Sequence, residues 1–438
     1  MVGQLLGKCK DRGRKLKRVA ILGAGITGLT CSSLLKDTYD VTIIERDEVS
    51  GGLCQSFEKD GFWFDYGAHA AFTKDESVRK LLEENLILEE SLSEAMNYKK
   101  EKWIKQPVQN NLFALDTDEK IKIIKGFIER NDDGEYKNYG EWLEKNYGKY
   151  FAENYPYYYT RKYWTVEPSQ LETKWIGPRM YTPSIEEVLY GSYSEETPNI
   201  HYAGNIRYPV TGGFARFLEK ISKGANVIYN AKIAQIDTKK KCVYYNNTRI
   251  DYDEIISTIP LPEIVKLLDC VPEEVQNAAL NLDYTTLTLV SLGIGKKDVM
   301  PNHVNCFYIY DQDILASRVF STSEYGRQNA PLGCTSIQAE IYSSKYKVLD
   351  MSLEEIKEKV IDDFTRMGLF QRKDIMVQDV RRKKYANIIF TKEIYNNRKI
   401  VHDFLEQCSV LYAGRFGKWD YLWSDQSVLS AIEIVDKI

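Results

Sequence analysis

The chain has 438 residues, 28% of them charged and 43% hydrophobic, with a formal net charge of −4. That length suggests two or three domains and a core large enough to need neither disulfides nor metals. The near-neutral balance excludes a whole-protein basic field for nucleic acid, so an anionic ligand would have to be met by local Arg or Lys. The eight cysteines, at 9, 31, 54, 242, 270, 306, 334 and 408, form no C-x-x-C pair, and only four histidines are present. No zinc or other metal centre and no dithiol motif is therefore expected, and the cysteines read as reduced thiols in the cytoplasm. No stretch approaches the run of about 18 apolar residues that a membrane-spanning helix needs. The basic start, MVGQLLGKCKDRGRKLKR, lacks the apolar region of a signal peptide and reads as a solvated arm. The 31 tyrosines fit either a compositional bias or a site lined with phenols.

Residues 18–23, RVAILG, read as a buried strand ending in glycine, 26–36 as a helix and 40–45, DVTIIE, as a second strand. This is a βαβ unit. A Gly-containing loop and the short strand GFWFDYG follow over 51–70, and 75–90 look helical. From 98 to 204 the texture becomes aromatic and charged, with helices expected at 117–131 and 138–151 and a Tyr cluster at 155–163. The α/β pattern returns at 205–285, with a Gly212-Gly213 turn, a helix at 214–222, strands over 226–250 and IISTIP at 255–260. Strands such as TLVSLGIG, CFYIY and SIQAEIYSS and one helix at 353–367 fill 286–400. The chain closes with the strand SVLYAG and a helix at about 426–437. The expected fold is α/β: a two-dinucleotide-binding, Rossmann-type unit over 17–97, 205–285 and 405–438, a mainly helical insertion over 98–204, and a substrate unit with a mixed or antiparallel sheet over 286–404.

Gly23, Gly25 and Gly28 stand between a strand and a helix in a G-x-G-x-x-G pattern. The first allows a tight turn, the second a close approach of backbone to pyrophosphate, the third close helix packing. The helix start, with Ile26 and Thr27, offers unpaired N–H groups and partial positive charge to phosphates. Glu45 ends the second strand about 20 residues on, where a carboxylate binds ribose hydroxyls. Glu45-Arg46 is followed by Gly51-Gly52-Leu53, a spacing that points to FAD rather than NAD, and Gly414-Arg415 begins a late turn suited to return to the FAD pyrophosphate. Gly67, Gly212, Asp425 and Gln426 complete the expected cofactor-binding set, with Gln426 near the flavin edge.

These FAD-binding parts resemble the amine oxidases, protoporphyrinogen oxidases and phytoene desaturases. Further blocks resemble UDP-galactopyranose mutases of the eukaryotic type: GFWFDYGAHAAF at 61–72, WIKQPVQNNL at 103–112, YTRKYWTVEP at 159–168, WIGPR at 175–179, RYPVTGG at 207–213 and GRFGKWDY at 414–421. The resemblance implies a flavin-dependent sugar-nucleotide mutase that interconverts pyranose and furanose forms through an adduct of flavin N5 with the sugar, without net redox change. The flavin would then have to be reduced, with NAD(P)H as a conceivable external reductant that leaves no recognisable motif here. The alternative is a true FAD oxidoreductase of the amine oxidase or protoporphyrinogen oxidase type; a catalytically idle FAD scaffold is a third reading, disfavoured because the flavin-facing histidine and both arginines are present.

On the mutase resemblance, His69 faces the flavin, and Arg179 and Arg318 clamp the pyrophosphate; Arg318 lies two residues off if Phe320 and Ser321 anchor the alignment. Tyr385 and Tyr421 are matched to catalytic phenols near the phosphates. Gln109, Asn110, Trp164, Tyr308 and Tyr310 are the implied substrate contacts. The partner would be a nucleotide sugar; no nucleic acid is implied, and an oligomer is compatible with the sequence. The chain departs from the family at Ala68, usually glycine, and at Gln106 and Val108, where the family places aromatics against the uracil ring. The loop after Tyr421 is also shorter.

Overall fold

A computed structural model describes residues 16–131, 133–200 and 203–438. The basic arm over 1–15 with Cys9, and His201, lie outside the described residues. A five-stranded parallel sheet is built in the order Leu411–Tyr412, Glu254–Ser257, Arg18–Leu22, Asp40–Ile44, Val227–Ile228. Arg18–Leu22 is its centre, and four of its five side chains are buried, as expected of a strand covered on both faces. The helix Ile26–Leu35 crosses from this strand to the next and packs against the last helix, Ser424–Val435. The mixed α/β class is thus as expected.

A seven-stranded sheet runs in the order Ile375–Lys383, Thr286–Ile294, Thr335–Ser343, Arg318–Phe320, Cys306–Ile309, Ala95–Lys99, Lys102–Lys105. It is antiparallel except where Cys306–Ile309 meets Ala95–Lys99. The apolar residues Val290, Leu292, Ile341, Ile356, Val360 and Phe364 join one of its faces to the helix Leu353–Arg366. The other face receives the hairpin Ser56–Lys59/Phe62–Asp65, through Gln338, whose side chain bonds both the N–H and the carbonyl of Asp65 at 2.8 Å.

The structure departs locally from the sequence expectations. The expected helix at 75–90 stops at Leu82; its second half becomes the strand Leu88–Leu92, drawn off by antiparallel pairing with Asn205–Pro209. The helix expected at 138–151 is two, Tyr139–Tyr147 and Lys149–Asn154. Gly148 between them has φ +83°, and a Cβ there would lie 2.4 Å from the carbonyl of Gly126 on the helix Thr117–Glu129. Close helix contact therefore sets the break. The expected helix at 214–222 is a 3₁₀ turn, Phe214–Leu218, followed by the short helix Glu219–Ser222. The Tyr cluster is itself helical, Pro156–Tyr163, started by a proline whose missing N–H costs nothing at a first turn. The hairpin Ala95–Lys105 opens the largely helical stretch by joining the seven-stranded sheet.

Candidate active site

Three glycine turns from distant parts of the chain meet at the start of the helix Ile26–Leu35. Gly51 donates its N–H to Ala24 O at 2.8 Å and pairs with Gly25 in a parallel bridge. A Cβ on Gly52 would lie 3.5 Å from Gly25 Cα. From the other side, a Cβ on Gly414 would lie 2.3 Å from Thr27 Oγ1, and the Gly414 N–H is held by Ser430 Oγ at 3.0 Å. Gly23 turns at φ +95°, and a Cβ on Gly28 would lie 2.0 Å from Gly23 O. Gly25 alone among Gly23, Gly25 and Gly28 faces open space, with no atom within 4 Å of its hypothetical Cβ.

Beside this cradle, Glu45 is buried at the end of its strand. Its carboxylate accepts from Ala24 N at 2.6 Å and Asp47 N at 2.8 Å, so it is fixed next to the glycine loop with acceptor capacity to spare. Arg415 Nε, Asp425 Oδ1 and Ser257 Oγ are buried polar atoms with no hydrogen-bond partner among the described residues. Buried polar groups are normally satisfied, so these three mark where a bound polar molecule would supply the bonds. An open backbone cradle at a helix start, an anchored ribose-type carboxylate and orphaned donors and acceptors fit a dinucleotide. Arg46, next to Glu45, has an exposed side chain 3.7 Å from Asp47. Gln426 Oε1 caps its own helix by accepting from Trp423 N at 2.9 Å. Leu53 is half-buried in a 3₁₀ turn beside Gly52, and Gly212 (φ +89°) packs on the Arg216 side chain.

The loop Gly67–His69 lies between the cradle and the seven-stranded sheet. His69 Nδ1 is 2.9 Å from Gly67 O, and its ring is 5.1 Å from that of Phe214. A carbonyl only accepts, so Nδ1 carries the proton and Nε2 keeps its lone pair. Burial pushes the imidazole down to about 4, so it is neutral at physiological pH. In the unfolded chain it would titrate near 6.5. Between those values the unfolded state binds more protons, so stability falls as pH drops from about 6.5 to about 4 and is level above that window. His69→Gln is expected to lessen that acid-side loss, read by urea unfolding at several pH values; an unchanged profile would place the ring in a solvated setting.

Glu340, which sequence reading did not single out, organises this loop. It accepts Ala68 N–H at 2.9 Å, Tyr342 OH at 2.9 Å, and both Nε (2.8 Å) and Nη2 (2.9 Å) of Arg318. Arg318 and Glu340 pair directly across neighbouring strands, so their side chains share a face. Burial works against both charges, yet each holds the other ionised: Glu340 lies below its usual range and Arg318 well above. Glu340→Gln would leave the buried guanidinium uncompensated, at a cost of about 3 kcal/mol. The check is chemical denaturation; a loss under about 1 kcal/mol would mean that Arg318 finds another partner.

A phenol cluster continues from this pair. Tyr163 packs against Tyr342 at 4.8 Å and stacks on Tyr159 at 5.4 Å, which meets Tyr308 at 5.5 Å and Tyr310 at 6.1 Å. The Tyr163 hydroxyl is 3.2 Å from Tyr421 OH and 3.3 Å from Asn387 Oδ1, which also accepts Arg415 Nη2 at 2.8 Å. Burial raises the phenols of Tyr159, Tyr163 and Tyr342 well above 10, so they act as neutral donors. Arg179 arrives from the WIGPR turn. Its guanidinium carbon lies 4.5 Å from the ring of Tyr421 and 4.6 Å from that of Trp423, while Nη1 and Nη2 donate to Trp175 O (2.9 Å) and Tyr421 O (2.5 Å). Trp164 is buried against Tyr421 at 5.3 Å.

The sequence profile of the flavin-containing amine oxidoreductases matches residues 26–406. The chain belongs to that family. Two curated relatives are similar over short stretches: the 4,4'-diapophytoene desaturase of Staphylococcus haemolyticus (strain JCSC1435), 41% identical over 58 residues, or 13% of this chain, and the coproporphyrinogen III oxidase of Staphylococcus aureus (strain NCTC 8325 / PS 47), 48% identical over 54 residues, or 12% of this chain. The chain spans only 12% of the length of either. Among solved structures, reduced UDP-galactopyranose mutase aligns with a TM-score of 0.90 and 21% identity over 96% of this chain and 93% of that one. At that identity the likeness concerns the fold.

Within this flavin-containing framework the structure brings together most of the expected site residues. Gly23, Gly25, Ile26, Thr27, Gly28, Glu45, Gly51, Gly52 and Gly414 form the cradle; Gly67, His69, Arg318, Tyr308, Tyr310, Trp164, Arg179, Arg415 and Tyr421 are linked by the contacts given above. Gln109 donates to Tyr181 O at 2.8 Å, close behind Arg179 in the chain, and Asn110 is buried with its Oδ1 unpartnered among the described residues. Val108 is 1% exposed, in the core, so it offers no platform to a base. Tyr385 is placed elsewhere: its hydroxyl donates to Glu263 and its ring packs on Tyr284 at 4.2 Å. Asn387, Tyr163, Tyr342 and Glu340 are the members that sequence reasoning missed. A lone glutamate in the apolar run SIQAEIYSS was the available signal for the last.

Proposed function

We propose that the chain is an FAD-dependent sugar-nucleotide mutase that changes the ring form of its substrate with no net redox change. The unit over 17–97, 205–285 and 405–438 would hold FAD, and the segments 98–204 and 286–404 would close over the substrate. Bound in the reduced state, the flavin would supply a nucleophilic centre for the anomeric carbon. The observation that carries the reading is the chain of contacts from Arg415 through Asn387 to Tyr163, by ring packing to Tyr342, and on to Glu340, Arg318 and the His69 loop, with Arg179 set against Tyr421. An apolar or amine substrate needs no such array of guanidinium and phenol donors. A pyrophosphate does, because planar Arg donors and neutral hydroxyls match its oxygens.

The residues would divide the work unequally. The charge of Arg318 is already balanced by Glu340, so its role is to hold the sheet face and the His69 loop in place. Arg179, held against Tyr421 and Trp423 and bonded to the Trp175 and Tyr421 carbonyls, would meet the phosphate charge. His69, neutral and protonated on Nδ1, would offer Nε2 as an acceptor. The similarity to reduced UDP-galactopyranose mutase supports this reading, while Gln106 and the buried Val108 argue for a base or base-binding mode different from stacked uracil. A reductant such as NAD(P)H would be needed to start the enzyme. The competing reading is an FAD oxidoreductase, favoured by the desaturase and oxidase relatives. The test is to incubate dithionite-reduced protein with a panel of nucleotide sugars and to follow ring form by NMR. No ring-form change, together with oxygen consumption on an amine or porphyrinogen, would decide for the oxidoreductase.

A further inference from the structure

A cavity of about 1160 Å³ lies on the face of the seven-stranded sheet opposite the phenol cluster. Side chains alternate along the strand Thr286–Ile294. Leu287 and Leu289 pair with Tyr342 and Glu340 and share their face. Thr288, one residue out of phase, pairs with Arg382, whose Nε donates to Thr288 Oγ1 at 3.2 Å. Arg382 and Thr286 line the cavity, so the strand separates it from the site described above.

The lining has two characters. Val265, Leu268, Val271, Leu280, Leu282 and Leu349 form an apolar wall. Lys266, Lys345, Arg382 and Lys384 bring positive charge. Lys345 is neutralised by Asp283 at 2.5 Å, but Lys384 (2.8 Å) and Lys266 (3.5 Å) share the one carboxylate of Glu263. Among the described residues Arg382 forms no ion pair. Two positive charges therefore remain in excess beside an apolar wall. Tyr284 and Tyr385 line the same space, which is where the phenol expected at the substrate site goes. Pockets that hold small organic ligands typically measure roughly 300–1,000 Å³, so this cavity has room for one.

We propose that this cavity is a second binding site, taking an amphipathic anion: an apolar body against the leucine and valine wall and a phosphate or carboxylate head on Arg382 and Lys384. The site is independent of the chemistry assigned to the flavin. The test is isothermal titration calorimetry of the flavin-loaded full chain with decyl phosphate below its micelle concentration, decanoate, inorganic phosphate and decyltrimethylammonium. Decyl phosphate is expected to bind once per chain, at least about tenfold tighter than inorganic phosphate or decyltrimethylammonium. Decanoate binding equally well assigns a general anion site; tenfold weaker binding assigns a phosphate head. Arg382→Glu and Lys384→Glu should each weaken decyl phosphate by about tenfold or more, with flavin absorbance unchanged. Leu280, 67% exposed, tolerates replacement, so Leu280→Asp tests the wall without endangering the fold and should weaken decyl phosphate likewise. The proposal is overturned if decyl phosphate fails to bind, if the cation or inorganic phosphate binds as tightly, or if these substitutions leave its affinity unchanged.

Discussion

Gly25→Val is expected to give a protein that folds but does not hold FAD. Gly25 has φ −70° and ψ 176°, a conformation that any residue adopts, and its hypothetical Cβ meets no atom within 4 Å. The substitution therefore costs the apoprotein only the modest loss of a glycine N-cap, about 1 kcal/mol or less. The open space it would fill lies at the mouth of the helix Ile26–Leu35, under the Gly51 and Gly414 turns. A pyrophosphate approaching the first-turn N–H groups must pass there. A branched side chain in its path should lower FAD affinity by about three orders of magnitude, or roughly 4 kcal/mol. The contrast is Gly28→Ala, where a Cβ 2.0 Å from Gly23 O forces helix and strand apart, so the fold itself should suffer. Flavin fluorescence titration and thermal unfolding of the apoproteins separate the two effects. A Gly25→Val protein that purifies with stoichiometric FAD would move the pyrophosphate away from this loop.

Arg179→Ala is expected to lower turnover by about three orders of magnitude, equivalent to roughly 4 kcal/mol, while FAD stays bound. Arg179 comes from the WIGPR turn and packs on Tyr421 and Trp423, with its Nη2 donating to the Tyr421 carbonyl. Those contacts are with residues other than the cradle glycines, so FAD is expected to stay bound. Lys should rescue poorly, because the planar guanidinium lies against both rings and a compact ammonium cannot reproduce that arrangement. The same substitution at Arg318 should act differently, chiefly on stability, since it strands Glu340. Steady-state kinetics with the flavin absorbance recorded on each variant provides the check. Loss of FAD from Arg179→Ala would relocate that residue to the cofactor.

What could be read from sequence was what local geometry dictates. Gly23, Gly25, Gly28, Gly51, Gly52 and Gly414 are glycines because a turn, an open cradle or a backbone approach requires it, and these demands show in spacing. His69, Arg179 and Tyr421 were found through block resemblance. Glu340 was not, because its meaning arises from pairing across strands and from a loop 272 residues away in sequence. Tyr385 lies just past the end of the strand Ile375–Lys383, where side-chain alternation no longer applies, so its direction was not legible from the strand's phase. Lys383 reaches Asp47 at 3.2 Å and sits over Tyr66 at 4.5 Å, whereas Lys384 bonds Glu263 at 2.8 Å beside the second cavity. Gly148 read as a helix interior because its reason, the Gly126 backbone, belongs to another helix.

As a mutase, the chain would use its flavin without consuming it as an oxidant or reductant. The most direct measurement is an anaerobic incubation of fully reduced holoprotein with UDP-galactopyranose and related nucleotide sugars, following product ring form and flavin absorbance together over many turnovers. Furanose product is expected, with the flavin still reduced at the end. Oxidation of the flavin in step with product formation, or reduced flavin that never yields a changed ring form, would contradict the mutase reading.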